Sequence, residues 1–324
     1  MKVLRRLFGW LGLALLVALG LGVAILAWAH WSIRGVAPPL PDAAALLRAD
    51  PRADLPVRLS YINTASQAMP RSGVLDAGLD PDPRAPYVMA HSAFVLEWAD
   101  GRLFLIDLGM DRESALAFGA PIELAAGGGP IEPHADVAAA LGRDASRVAG
   151  IGFTHLHTDH VSGLAGLCDA LGRRVPVYWT PFQGERQNHT TWAGRRIVDD
   201  AGCAEQRLLD AGPLYEVPGF PGLAVAVAAG HTPGSQIFVA RVREGDRVRA
   251  NVITGDVVNQ IDGVRHDVPK PSLYSLLLVP EAGDRLARVR AWLAQLERDH
   301  GARLLVGHDR LALEQSGIPP YGAD

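Results

Sequence analysis

Only two cysteines, Cys168 and Cys203, occur among the 324 residues. That scarcity excludes a small disulfide-stapled fold and any Cys-x-x-Cys metal knuckle. Neither thiol stands in a ligand spacing, so neither is assigned a catalytic role. In an exported chain the two could form a disulfide, and in a reducing compartment they would be free buried thiols; the sequence leaves both open. Dense positive charge is also lacking. Lys and Arg number 31 against 35 Asp and Glu, for a net charge of −4. No basic stripe interleaved with aromatics runs along the chain, which argues against nucleic acid as a partner. Internal repeats and low-complexity segments are absent too. What remains, 48% hydrophobic and 20% charged residues, can bury a substantial core, in one large domain or two ordinary ones.

One stretch has no charge at all. Lys2, Arg5 and Arg6 precede an apolar run over 7–29, long enough to cross the hydrocarbon core as a helix. Its basic N-terminal flank favours an N-in orientation, with everything downstream on the extracytoplasmic, periplasmic side of the cytoplasmic membrane. A cleaved signal peptide competes with this reading, because Ala27-Trp28-Ala29 resembles a cleavage site. The run is long for a signal segment, so an uncleaved anchor is preferred; cleavage would yield a secreted protein. The expected organisation is an anchor or signal segment over 1–30, a Pro- and Ala-rich linker with one short helix over 31–56, and a catalytic domain over 57–324.

Within that domain, strand-like runs fall at 59–64, 91–98, 102–106, 148–153, 175–178, 223–228, 236–242, 248–254 and 304–306. Ala99-Asp100-Gly101 and Glu244-Gly245-Asp246 read as hairpin turns. Helices are expected over 133–141, 162–171 and 281–299, the last from Leu286, Val289, Leu293 and Leu296 at helical spacing. The stretch 180–221 loses periodicity and reads as an irregular insertion over the site.

The continuous apolar run 148–153, as expected of a strand buried on both faces, delivers Thr154-His155-Leu156-His157-Thr158-Asp159-His160. Imidazole nitrogen and carboxylate oxygen are the preferred ligands of zinc and related borderline metals. On extended backbone, side chains two apart share a face, so His155 and His157 can grip one metal. Asp159 and His160, where the chain turns into a helix, can reach a second. His231, Asp256 and His308 each follow another expected strand. Strand ends gathered along one sheet edge form a rigid platform for converging ligands. Asp107, also at a strand end, is a plausible partner for a metal-bound histidine or simply a turn residue. His91, His189 and His266 could line the pocket, but core or surface positions are preferred for each.

These residues in this order, His-x-His-x-Asp-His, Gly230-His-Thr-Pro-Gly-Ser235, Thr254-Gly-Asp256 and Gly307-His-Asp309, resemble the metallo-β-lactamase-fold hydrolases over roughly residues 57–310. The resemblance implies an α/β fold, a four-layer αββα sandwich with its site at one edge of two sheets. It implies that His155, His157 and His231 bind one zinc, that Asp159, His160 and His308 bind a second, and that Asp256 bridges them; Mn, Fe or Co could replace zinc in such a set. It further implies hydrolysis by a metal-bridging hydroxide, with Asp159 orienting the nucleophile or passing a proton to the leaving group.

An Asp at position 256 points away from antibiotic hydrolysis, and the short segment after His308 points away from glyoxalase II-like thioesterases. The layout is closer to the N-acyl homoserine lactonase and organophosphate hydrolase branch, except that Asn259 stands where its lactonases often carry tyrosine. Asn259, Tyr274 and the 180–221 stretch are the candidate contacts for a small-molecule substrate. The expected activity is hydrolysis of a neutral or weakly anionic ester, lactone or thioester. Phosphoester or phosphotriester hydrolysis, an iron-dependent oxidoreductase such as a persulfide dioxygenase, and a non-catalytic scaffold are the alternatives.

Overall fold

The computed structural model describes residues 2–34, 37–48, 54–210, 212 and 214–323. Residues 35–36 and 49–53 of the expected linker therefore lie outside the described residues. Twelve strands follow in order: β1 (Arg58–Ala68), β2 (Val88–Glu97), β3 (Leu103–Ile106), β4 (Glu132–Pro133), β5 (Val148–Gly152), β6 (Val175–Trp179), β7 (Ala204–Leu208), β8 (Leu214–Glu216), β9 (Leu223–Val227), β10 (Gln236–Glu244), β11 (Arg247–Ile253) and β12 (Arg303–Leu305). One sheet has the order β4-β1-β2-β3-β5-β6-β7 and the other β12-β11-β10-β9-β8.

Strand alternation builds the layers. Phe94 and Leu96 of β2, Phe104 of β3, and Val225, Phe238 and Ala240 of the second sheet share the central core. Their neighbours face the opposite way, as the period of two requires. Val95, Leu105 and Ile151 meet the helices Val137–Leu141 and Leu164–Leu171. Ile237, Val239 and Val252 meet Leu286, Val289, Leu293 and Leu296 of the helix Gly283–His300. The result is a mixed α/β fold of two sheets with helices on both outer faces, as expected. Strand β5 pairs in parallel with β3 and β6, which explains its uninterrupted apolar sequence. The two hairpin turns also form, with Gly101 at φ +88° and Gly245 at φ +62°.

The stretch 180–221 departs from expectation. It holds helix Trp192–Asp200 and strands β7 and β8, each of which completes an edge of one sheet. The sequence of β7, Ala-Glu-Gln-Arg-Leu, is mostly exposed. An edge strand kept polar on its open side shows no apolar alternation to read. Helix Arg112–Ala125, capped by Asp111 accepting from Ser114 N, is a further element outside the expected set. Cys168 and Cys203 are joined in a disulfide with Cα atoms 5.3 Å apart, tying helix Leu164–Leu171 to the start of β7.

At the N-terminus a helix spans Lys2–Ile33, and its segment Arg6–Ile33 is long and apolar enough to cross a membrane. It leaves nearly its whole length outside the fold; only its last turns are buried, with Ala29 and Ile33 inaccessible. The short linker helix is Ala43–Leu47, capped by Asp42 and fastened by the buried Leu46.

Candidate metal centre

Strand ends bring the seven candidates together. After β5 the extended backbone carries His155 and His157, and the helix Thr158–Val161 then turns Asp159 and His160 inward. His231 follows β9, Asp256 follows β11 and His308 follows β12. Gly255 lets Asp256 arrive: its φ is +52°, and a Cβ there would lie 2.8 Å from Thr154 Cβ, so a side chain would collide with the motif itself.

Two clusters result. In the first, His155, His157, His231 and Asp256 offer donor atoms within 4.8 Å of one another. His231 Nε2 is 3.2 Å from His157 Nδ1, and Asp256 Oδ2 is 3.6 Å from His231 Nε2 and 4.0 Å from His155 Nε2. In the second, His160 Nε2 and His308 Nε2 approach to 3.2 Å. Asp256 Oδ1 lies 3.3 Å from His160 Nε2 and Asp256 Oδ2 lies 3.2 Å from His308 Nε2. Asp159 Oδ2 completes it, 3.4 Å from His308 Nε2 and 3.7 Å from His160 Nε2. Asp256 belongs to both clusters.

Each of the five imidazoles uses its other nitrogen to fix its orientation. His155 Nδ1 meets Thr154 Oγ1 at 3.1 Å, His157 Nε2 meets Thr190 Oγ1 at 3.1 Å, and His308 Nδ1 donates to Ala90 O at 2.6 Å. His160 Nδ1 lies 3.0 Å from Asp107 Oδ2, and His231 Nδ1 lies 2.6 Å from Glu281 Oε1. Asp107 also accepts from Thr154 N and Thr154 Oγ1, at 2.7 and 2.8 Å. Such outer partners set the tautomer, so that the free lone pair faces the centre. Asp107 thus contacts both Thr154 at the start of the motif and His160 at its end.

The electrostatics fit a cation site. Burial holds His155 well below the ordinary imidazole range, brings His157 down to about 3 and lowers His231 as well, so all three are neutral donors. Burial alone would lower His160 and His308 too, but the neighbouring carboxylates, Asp159 for the former and Asp256 for the latter, raise both. Burial works against ionising Asp256, yet His308, His160 and His155 outweigh it and hold the carboxyl well below its usual range. Asp159 and Asp256 are both buried. Buried anions require compensating positive charge, which protons on His160 and His308 supply and a divalent cation would replace. His155 Nε2, buried and without a hydrogen-bond partner, is an orphaned lone pair in the middle of the first cluster. The donor set of imidazole and carboxylate suits zinc and other borderline divalent metals.

Three residues near the centre lie outside the expected donor set. His91, read as a core or surface residue, is indeed buried, but beside the site, with Nδ1 3.3 Å from Asp159 Oδ2. Lys270 and Glu281 form a buried pair behind His231. No motif surrounds either one; they meet only because the loop before helix Gly283–His300 folds under β9. His266 is exposed and pairs with Asp262, in keeping with a surface role.

The centre opens into a cleft of about 730 Å³ lined by His157, Asp159, Asp256 and His308 at its floor. Apolar side chains, including Met69, Met89, Phe118, Ile122 and Leu277, form its walls. Asn259, Tyr274, His189 and Thr190 line it as well, so part of the 180–221 stretch does reach the site. The Asn259 Oδ1 acceptor is buried there without a partner. No Arg or Lys lines this cleft among the described residues.

Fold and site together define a metal-dependent hydrolase. The chain belongs to the metallo-beta-lactamase superfamily, whose sequence signature matches residues 86–308. It is similar in fold to an N-acyl homoserine lactone hydrolase solved with the product N-hexanoyl-L-homoserine at its catalytic metal centre. That likeness is 18% identical, covers 81% of this chain and 96% of that one, and has a TM-score of 0.59. A quorum-quenching N-acyl homoserine lactone lactonase is similar at 18% identity, 80% and 95% coverage and TM-score 0.57. A probable metal-dependent hydrolase from Staphylococcus aureus is similar at 14% identity, 79% and 91% coverage and TM-score 0.53. No curated protein sequence matches the chain.

Proposed function

We propose that the chain is a membrane-anchored binuclear zinc hydrolase of esters, lactones or thioesters, with its catalytic domain, residues 57–324, on the extracytoplasmic side. The observation that carries this reading is Asp256, one carboxylate lying between two histidine clusters at the floor of an apolar cleft. His155, His157 and His231 would hold one cation; Asp159, His160 and His308 the other; Asp256 would reach both. Two divalent cations bound there would supply Lewis acidity and lower the pKa of bound water towards neutrality.

The protein's own groups do the rest. Asp159, at the cleft floor and ionised, is placed to orient the attacking water and to carry a proton towards the leaving group. The Asn259 amide and the Tyr274 hydroxyl are among the polar groups that line the cleft and could position the substrate. Apolar walls without Arg or Lys favour a neutral acyl substrate over an anionic phosphate ester. The apolar helix Arg6–Ile33 with its basic flank supports anchoring, and the disulfide supports an oxidising compartment.

The test is a panel of esters, lactones, thioesters and phosphotriesters run on metal-quantified protein, beside Asp256→Ala. We expect acyl hydrolysis at about two metals per chain, with metal and activity lost together in the variant. An Asp256→Ala protein that keeps both metals and full activity contradicts the bridging role. One iron per chain without zinc would favour oxidoreductase chemistry instead.

A further inference from the structure

The mouth of the cleft lies between two turns, one carrying His189 and Thr190, the other running from Pro271 to Val279. The C-terminal end of the N-terminal helix touches the second turn and Trp192, the residue that opens the helix just after the first. The Trp28 ring is 5.7 Å from that of Trp192, and His30 Nε2 donates to Leu276 O at 3.0 Å. Arg285 adds a hydrogen bond to Ile33 O at 3.0 Å. The helix therefore leaves the fold beside the rim of the site.

That rim is apolar to an extent water does not favour. The sequence from 271 to 280, Pro-Ser-Leu-Tyr-Ser-Leu-Leu-Leu-Val-Pro, contains no charged residue. Leu273, Leu276, Leu277 and Leu278 are 70%, 51%, 55% and 68% exposed. Contiguous exposed apolar side chains of this kind mark an interaction surface. The helix identifies the partner. Trp10 and Trp28 stand eighteen residues apart, about 27 Å along a helix rising about 1.5 Å per residue. That is close to the thickness of the hydrocarbon core, and tryptophans favour its two boundaries. Trp28 is thus at the level of the outer boundary, and the leucine turn is held at the same level.

Resting on the anchored-hydrolase reading, we propose that the turn 271–280 sits in the interfacial layer of the bilayer the helix enters. The cleft would then take its substrate, a neutral amphiphile with an acyl chain, from the membrane rather than from water. The chain of such a molecule would lie along Met69, Met89, Phe118 and Ile122, with its carbonyl end at Asp159 and Asp256.

The test uses the full chain in phosphatidylcholine nanodiscs, with a nitroxide at Leu276→Cys, at Val17→Cys in the helix, or at Leu311→Cys, an exposed site outside the turn. Relaxation at 276 and 17 should respond more to oxygen than to a water-soluble nickel chelate, with the reverse at 311. A site 276 that behaves like 311 while 17 remains in lipid overturns the proposal and leaves the anchor standing. A site 17 exposed to the chelate overturns the anchor by itself. Low response of 276 to both reagents means that protein, such as a second copy, covers the turn, and this too overturns the proposal. As a second readout, Leu276→Glu alters a residue that does not line the cleft. It should slow p-nitrophenyl palmitate cleavage in vesicles roughly tenfold and leave soluble p-nitrophenyl butyrate within about twofold. Equal rates on both esters would sink membrane loading.

Discussion

The Lys270 ammonium donates to Glu281 Oε1 at 2.9 Å, and both groups are buried beneath His231. Lys270 Nζ also donates to Asp256 O at 2.7 Å, while Glu281 fixes the His231 tautomer. Burial pushes the Glu281 carboxyl up, but Lys270 and then His231 prevail and bring it down to about 2. Removing one member of such a pair strands the other charge in the interior. Glu281→Ala should therefore lower stability by about 3–5 kcal/mol and weaken metal binding about 10–100-fold. Urea unfolding and competition with a chromogenic chelator measure the two effects. Unchanged metal affinity would show that the pair does not tune His231.

Asp107 meets His160 of the second cluster directly and reaches the first only through Thr154, whose Oγ1 also meets His155 Nδ1. Asp107→Ala should release His160 and lower affinity at the second cluster about 10–100-fold. After dialysis, elemental analysis should then find closer to one metal than two per chain. Equal loss from both clusters would mean that Asp107 supports the whole motif through Thr154.

Outside the lining of the cleft, Arg71 grips the buried Asp80 through two hydrogen bonds of 2.8 Å and reaches Asp262 at 3.0 Å. The Arg71 hydrogen bond holds the Asp80 carboxyl below its ordinary range in spite of burial. A depressed carboxyl contributes stability above its unfolded pKa of about 4, and loses it as pH falls through the lower folded value. In Arg71→Met the sign reverses, since an unpaired buried carboxyl is favoured by protonation. The stability gap between the parent and Arg71→Met should be widest near neutrality and narrow below about pH 4. A gap that stays constant with pH would mean that the pair's charge contributes little.

The disulfide spans 35 residues of sequence. Closing a loop of that size restrains the unfolded chain, so replacing both cysteines by alanine should cost about 2–4 kcal/mol in unfolding experiments. Thiol titration of the denatured, unreduced protein should find no free thiol. Two free thiols in material taken from its native location would argue against export.

The motif over 154–160 and the residues after β9, β11 and β12 were legible because metal chemistry admits few side-chain types and places them at strand ends. Strand-like apolar runs likewise disclosed nine strands, and the uninterrupted run at β5 disclosed its burial on both faces. The mostly polar edge strand β7 and the three-residue β8 were not legible, since an open edge needs no apolar pattern and so short a strand offers none to read. Nor were His91, Lys270 and Glu281, whose surroundings in the chain resemble any others; a buried lysine becomes tolerable only when folding sets a carboxylate against it. Local spacing and composition were enough to reveal the superfamily, the candidate donors and the apolar N-terminal helix. Tertiary structure alone decided that one carboxylate lies between two clusters, that the cysteines are joined, and that the helix ends at the mouth of the cleft. Each of these depends on distances between residues far apart in the chain, and only the packing of the two sheets sets those distances.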